Sequence, residues 1–161
     1  MSIFSCASIP KEVTAVKNFQ KERYLGKWYE IARIDFRFEK NLNNTTAEYA
    51  EAANGKIKVV NSGFDYTRNK WKKAVGKAKF AGDDKTGMLK VSFWGPFYAG
   101  YNVIKIDENY TVSLVVGKNF DYLWILSKTP TIPDNVKAEY VQYAQSLGFD
   151  TSRLVWVEHK K

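Results

Sequence analysis

Apolar and polar residues alternate along most of this chain, in short runs divided by turn residues. The runs cover 27–35, 45–53, 56–64, 71–80, 88–94, 101–106, 111–117 and 122–127. Alternation with period two marks half-buried strands, and recurrence every ~8 to 15 residues is the rhythm of an antiparallel sandwich or barrel. Asn54-Gly55 suits a type I′ hairpin, Gly82-Asp83-Asp84 and Gly117-Lys118-Asn119 suit further turns, and Gly95-Pro96 breaks the chain after Trp94. Such short connections place sequence neighbours side by side in the sheet. Residues up to 21 read as a loose arm. FRFEKNLNN (36–44) is too polar and too long for a tight turn, and its Phe36, Phe38 and Leu42 make it a lid or a core cap.

The period changes to helical only near the C-terminus. Val136, Tyr140, Tyr143, Ala144 and Leu147 make one stripe, with Thr131 expected as N-cap, Pro133 and Asp134 in the first turn, and Gly148 as the stop. That stripe is expected to pack on the outside of the sheet. RLVWVE (153–158) reads as a last edge strand.

If Trp28 points inward, Glu30, Ala32 and Ile34 share its face, as do Ala47, Tyr49 and Glu51 on the next run. Later inward sets are Ala74, Gly76, Ala78 and Phe80, then Val91 and Phe93, then Tyr101 and Val103. The last two are Thr111, Ser113 and Val115, and Tyr122, Trp124 and Leu126. Small residues mixed with rings that carry polar handles suit the wall of a cavity in an eight-stranded barrel. The same small residues would also fit a tapering, filled barrel.

Composition bounds the function classes. A chain of 161 residues, 45% hydrophobic and 16% aromatic, fits a single domain, and no run approaches the ~18 apolar residues of a membrane span. The net charge of +8 comes largely from lysines alternating with apolar residues, which suits solvated strand faces; an anionic membrane or headgroup, and nucleic acid, are the other readings. His159 is the only histidine and Cys6 the only cysteine, which excludes a histidine-based nucleophile relay, the usual zinc ligand sets and an internal disulfide. No phosphate-cradling glycine loop occurs, and GPFYAGY (95–101) lacks the spacing for one. No catalytic residue, metal or cofactor is therefore expected. The alternative is an enzyme acting on a lipid or isoprenoid through a cavity carboxylate such as Glu30 or Glu51.

Four separated blocks carry a family resemblance: NFQKERYLGKWYEIARIDFRFEKNL (18–42), the AEY and NGKIKVVNSG stretch (47–63), LKVSFWGPFYAGYNVIKID (89–107) and DYLWILSKTPTIPD (121–134). In this order they resemble the lipocalins, and within them the bacterial outer-membrane lipoprotein branch related to apolipoprotein D. The resemblance implies an all-β, eight-stranded up-and-down barrel with one C-terminal helix outside and a short final strand. It also implies a closed-end motif of Gly26, Trp28 and Lys128, where the family usually has arginine at the last position. A lysine keeps a cation over the ring, worth about 0.5 to 2 kcal/mol, but loses the planar fork. Of the family's Thr-Asp-Tyr region only the aspartate persists, in Ile106-Asp107-Glu108.

Cys6 gains meaning from the same resemblance. CASIPKEVTAVKNF (6–19) matches a lipid-modified mature N-terminus with a polar arm, although MSIF is too short for the apolar core of a signal peptide. The expected division is an arm with signal remnant and lipid-anchor cysteine over 1–17, and a lipocalin domain over 18–161. The expected function is carriage or storage of a fatty acid or lysophospholipid at the periplasmic face of the outer membrane, the unlipidated chain being soluble. Wall residues would be Ala47, Tyr49, Phe93, Tyr101, Ser113, Val115, Tyr122 and Trp124, with Phe36, Phe38, Phe97 and Tyr98 at the rim. Arg33, Arg37 and Lys40 could meet an anionic headgroup or simply be solvated. No nucleic-acid partner is expected, and the sequence is compatible with a homodimer.

Overall fold

The computed structural model describes residues 8–160, and its strands follow the alternating runs closely. They are β1 (Gly26–Ile34), β2 (Leu42–Glu51), β3 (Ile57–Asp65), β4 (Lys70–Phe80), β5 (Met88–Ser92), β6 (Ala99–Ile106), β7 (Val112–Val116) and β8 (Leu123–Ser127). Each pairs antiparallel with the next. β1 closes the ring by pairing with β8 (Tyr29↔Ser127) and with β2 (Trp28↔Ala47). The eight strands thus form the expected closed barrel. β9 (Leu154–Trp156) joins β1 outside it, with Trp156 opposite Ala32.

Up-and-down connection sorts the loops between two ends. Residues 52–56, 81–87 and 107–111 lie at one end with the start of β1, while 35–41, 66–69, 93–98 and 117–122 lie at the other. Asn54 (φ 61°) and Gly55 (φ 71°) make the left-handed pair that a type I′ turn needs.

Two apolar clusters result. One fills the barrel; the other lies between its outer wall and α2 (Asp134–Ser146), where Tyr140 and Ala144 pack on Ile104, Val112, Leu114 and Ile125. The Tyr140 hydroxyl donates to the Val112 carbonyl at 2.9 Å in this buried seam. Tyr140→Phe is therefore expected to lower stability by about 1 kcal/mol in urea unfolding, the usual net worth of one buried hydrogen bond.

Several expectations need correction. Thr131 does not cap α2: the helix opens on Pro133, whose carbonyl accepts from the Val136 and Lys137 amides at 3.0 Å. Proline's fixed φ, here −61°, with an extended ψ makes it the boundary residue, two positions after Thr131. The arm is not loose from Ser8 onward. Val13, Ala15 and Phe19 are buried, the Val16 amide donates to the Val103 carbonyl at 2.9 Å, and a short helix α1 (Lys21–Tyr24) leads into β1.

The third correction concerns β1. Its pairing with β8 slips between Glu30 and Ala32, and the extra residue reverses the alternation. Trp28 and Glu30 face inward as expected. Ala32 and Ile34 instead join Ile31 in the outer cluster under α2, and Arg33 becomes buried. Glu51 is no interior carboxylate either. It is exposed at the end of β2, and Lys21 Nζ reaches it at 2.7 Å.

Candidate functional site

The closed end is built around Trp28. Gly26 enters β1 at φ +113°, a conformation that L side chains rarely adopt, and a Cβ there would stand 3.0 Å from Lys128 Nζ. That ammonium lies 4.6 Å from the Trp28 ring centre and donates to the Leu25 carbonyl at 2.6 Å. Trp28 Nε1 donates to the Tyr24 carbonyl at 2.7 Å. The loop below is tied by Asp107, which accepts from the Thr111 amide and hydroxyl at 2.6 Å and the Val112 amide at 2.8 Å. Arg23 lies 4.4 Å over the Tyr110 ring and donates to the Glu108 carbonyl. Indole, cation and loop together stop the barrel at this end.

Above the plug the interior turns polar at one point. Tyr101 Oη lies 2.6 Å from both Tyr24 Oη and Tyr49 Oη, and Tyr24 Oη is 3.3 Å from Ser113 Oγ. Burial pushes the Tyr24 phenol up to about 12 and raises those of Tyr49 and Tyr101 well above their ordinary value, so all three remain neutral donors. Beside them Ile57, Val59, Ala78, Leu89 and Val91 make an apolar wall. The free space they enclose is about 10 Å³, room for one water-sized sphere. Toward the mouth, Phe93 lies across Gly76, where a Cβ would stand 2.7 Å from its ring; only glycine admits so close an approach.

A second polar cluster secures the loop over the mouth. Arg33 donates to Glu30 Oε1 at 3.2 Å and Asp35 Oδ1 at 2.9 Å, and to the carbonyls of Glu39 (2.8 Å) and Leu42 (3.0 Å). Trp124 Nε1 donates to Glu39 Oε1 at 2.7 Å. Phe36 packs edge-on to Tyr122 and Trp124, 5.7 Å from each. Burial, followed by the neighbouring Glu39 carboxylate, raises Glu30 well above the usual carboxylate range against the pull of Arg33. The loop 35–41 is thus a lid latched from inside. Arg33 has no free donor face for a headgroup and is not solvated.

The expected wall residues divide by depth. Ala47, Tyr49 and Val115 are buried in the interior cluster; Phe93, Tyr101 and Trp124 are partly buried against it, and Ser113 is buried beside Tyr24. Tyr122 stacks on Trp124 at the mouth. Of the rim set, Phe36 turns inward, Tyr98 lies half-buried under Lys79, and Phe38 and Phe97 face solvent. Arg37 and Lys40 are exposed on the lid. Cys6 lies outside the described residues. Tyr24, Glu39 and the burial of Arg33 escaped the sequence reading. Tyr24 precedes the first alternating run, so no strand parity pointed it inward; the aromatic run Phe19, Tyr24, Trp28 was the available signal.

Residues 19–159 match the family described as lipocalin-like domain. The chain is 51% identical over 158 residues to outer membrane lipoprotein Blc of Citrobacter freundii, covering 97% of this chain and 89% of that protein. Apolipoprotein D of Mus musculus is 32% identical over 159 residues, covering 92% and 79%. Among solved structures, insecticyanin from the tobacco hornworm superposes with a TM-score of 0.77 at 21% identity, over 94% of this chain and 87% of that one, a likeness of fold.

Proposed function

This chain belongs to the lipocalin family, and from that membership we propose that it is a non-catalytic carrier of a fatty acid or lysophospholipid in the bacterial cell envelope. Its relatives named outer membrane lipoprotein support placement at the outer membrane, held by a lipid on Cys6. No described helix is long and apolar enough to cross a membrane, so an attached lipid is the anchor this reading requires.

One observation carries the proposal: an apolar barrel plugged by Trp28 at one end and covered at the other by a latched lid. A long acyl chain matches that shape. Each CH₂ removed from water contributes about 0.8 kcal/mol before the costs of binding, so the tail supplies affinity. With about 10 Å³ free, the chain enters only as Phe93, Tyr101 and Trp124 swing aside, and these three are partly rather than fully buried. Arg37 and Lys40 on the lid are the cations within reach of an anionic headgroup.

Trp124→Ala removes both a wall ring and the Glu39 partner. It is expected to weaken titration of a fluorescent fatty acid at least tenfold while the circular dichroism spectrum is kept. An unchanged titration with an intact fold would overturn the pocket assignment. A second reading, an enzyme using Glu30 as acid or base, draws on its raised pKa. The carrier reading accounts for the same shift through the burial of Glu30 beside Glu39 of the lid, and mass spectrometry for turnover of a lysophospholipid separates the two.

A further inference from the structure

We propose that the open rim of the barrel docks on an anionic phospholipid bilayer, turning the ligand mouth toward the membrane. This goes beyond the carrier reading, which assigns the rim no surface partner. The first observation is exposed aromatic area where a water-soluble surface has no need of it. Phe38 and Trp94 are each 74% exposed, Phe97 71%, Trp71 66% and Tyr66 57%. Phe38 stands on the lid, Tyr66 in the turn joining β3 to β4, Trp71 at the adjoining start of β4, and Trp94 and Phe97 on the loop joining β5 to β6, all at the open end. Among the described residues, the loops of the closed end carry none of the large exposed apolar side chains. Aromatic side chains grouped in this way mark an interaction surface, and Trp and Tyr are at home where lipid headgroups meet acyl chains.

Charge selects the partner. Arg37, Lys40, Arg68, Lys70 and Lys118 are exposed at the same end, and none meets a carboxylate among the described residues. The acids there are already engaged: Asp35 and Glu39 by Arg33, Asp65 by Lys72 and Asp121 by Arg153. The rim therefore presents unbalanced positive charge around the rings, complementary to lipid phosphates. The rings stand on or beside three separate connections around a mouth, not along one groove, which fits a planar surface better than a single polynucleotide strand.

The test uses the full chain carrying Cys6→Ser, so that no anchor contributes, with vesicles of phosphatidylcholine alone or mixed with phosphatidylglycerol. The protein is expected to float with the mixed vesicles, less so as salt is raised. Trp71→Ser combined with Trp94→Ser should weaken partitioning at least tenfold. Arg68→Glu with Lys70→Glu should do the same, since each cation near an anionic surface contributes about fivefold. Lys58→Glu with Lys85→Glu, near the closed end, should have a much smaller effect. Absence of flotation, equal effects at both ends, or displacement from vesicles by a single-stranded oligonucleotide would overturn the proposal. Titration of a fluorescent fatty acid without vesicles reads the carrier function separately. Acyl binding without flotation sinks the rim alone, and flotation without acyl binding sinks the carrier alone.

Discussion

Trp28→Ala is expected to lower the stability of the barrel by about 3 to 5 kcal/mol, the range for removing a large ring from a filled core. The indole is fully buried, lies 4.8 Å from the Tyr24 ring, donates to the Tyr24 carbonyl and carries the Lys128 ammonium on its face. Removing it leaves a cavity and strips one partner from a cation whose charged form burial already disfavours. Lys128→Met should cost less, because the cation–π contact is worth about 0.5 to 2 kcal/mol and its bond to the Leu25 carbonyl is only part-buried. Urea unfolding of both variants measures the difference. A loss below about 1 kcal/mol for Trp28→Ala would mean that the closed end does not depend on the plug.

Arg33→Met should be comparably severe at neutral pH, about 3 to 5 kcal/mol, because it leaves the buried Glu30 beside the partly buried Glu39 without their cation. The pH dependence distinguishes this cause from lost packing. Glu30 already binds its proton more tightly when folded than when unfolded, and removing Arg33 takes away the neighbouring positive charge that opposes this. A carboxyl of that kind contributes stability below its unfolded pKa and loses it as pH rises through the folded value. Acidifying from pH 7 to pH 5 should thus recover part of the loss in Arg33→Met and change the wild type less. Asp65 acts in the opposite sense but lower: the Thr67 hydroxyl, then Lys72, hold it at about 2, so its contribution disappears only below the usual carboxylate range. A variant equally unstable at both pH values would show that the lid latch is not electrostatic. Fluorescent fatty acid titration of the same protein should show faster release, because the lid has lost its ties to Arg33 at Asp35 and Glu39, and the start of β2 its tie at Leu42.

The eight strands were legible because each shows one face to the barrel interior and the other to water or to α2, and period-two alternation records that directly. The helix was legible for the same kind of reason, its stripe Val136, Tyr140, Tyr143, Ala144 and Leu147 having one wall to cover. The Trp28 plug was legible through the order of four motif blocks, which carried both Gly26 and Lys128.

The candidate site was less so. Parity counting along β1 failed at one residue, since a slip in pairing with β8 is a property of two strands together and leaves no mark in either alone. From that slip follow the outward turn of Ala32 and Ile34, the burial of Arg33 and the latch through Glu39. Tyr24 joined Tyr49 and Tyr101 only because α1 folds it back over the barrel floor. The sequence by itself determined the barrel and the apolar character of its interior, which follow from local alternation and composition, and its plug, which the family resemblance of the motif blocks implied. Only the tertiary structure decided which side chains meet across that interior, how little space they leave, and that exposed rings and unpaired cations gather at one rim, because those depend on register and closure between segments far apart in the chain.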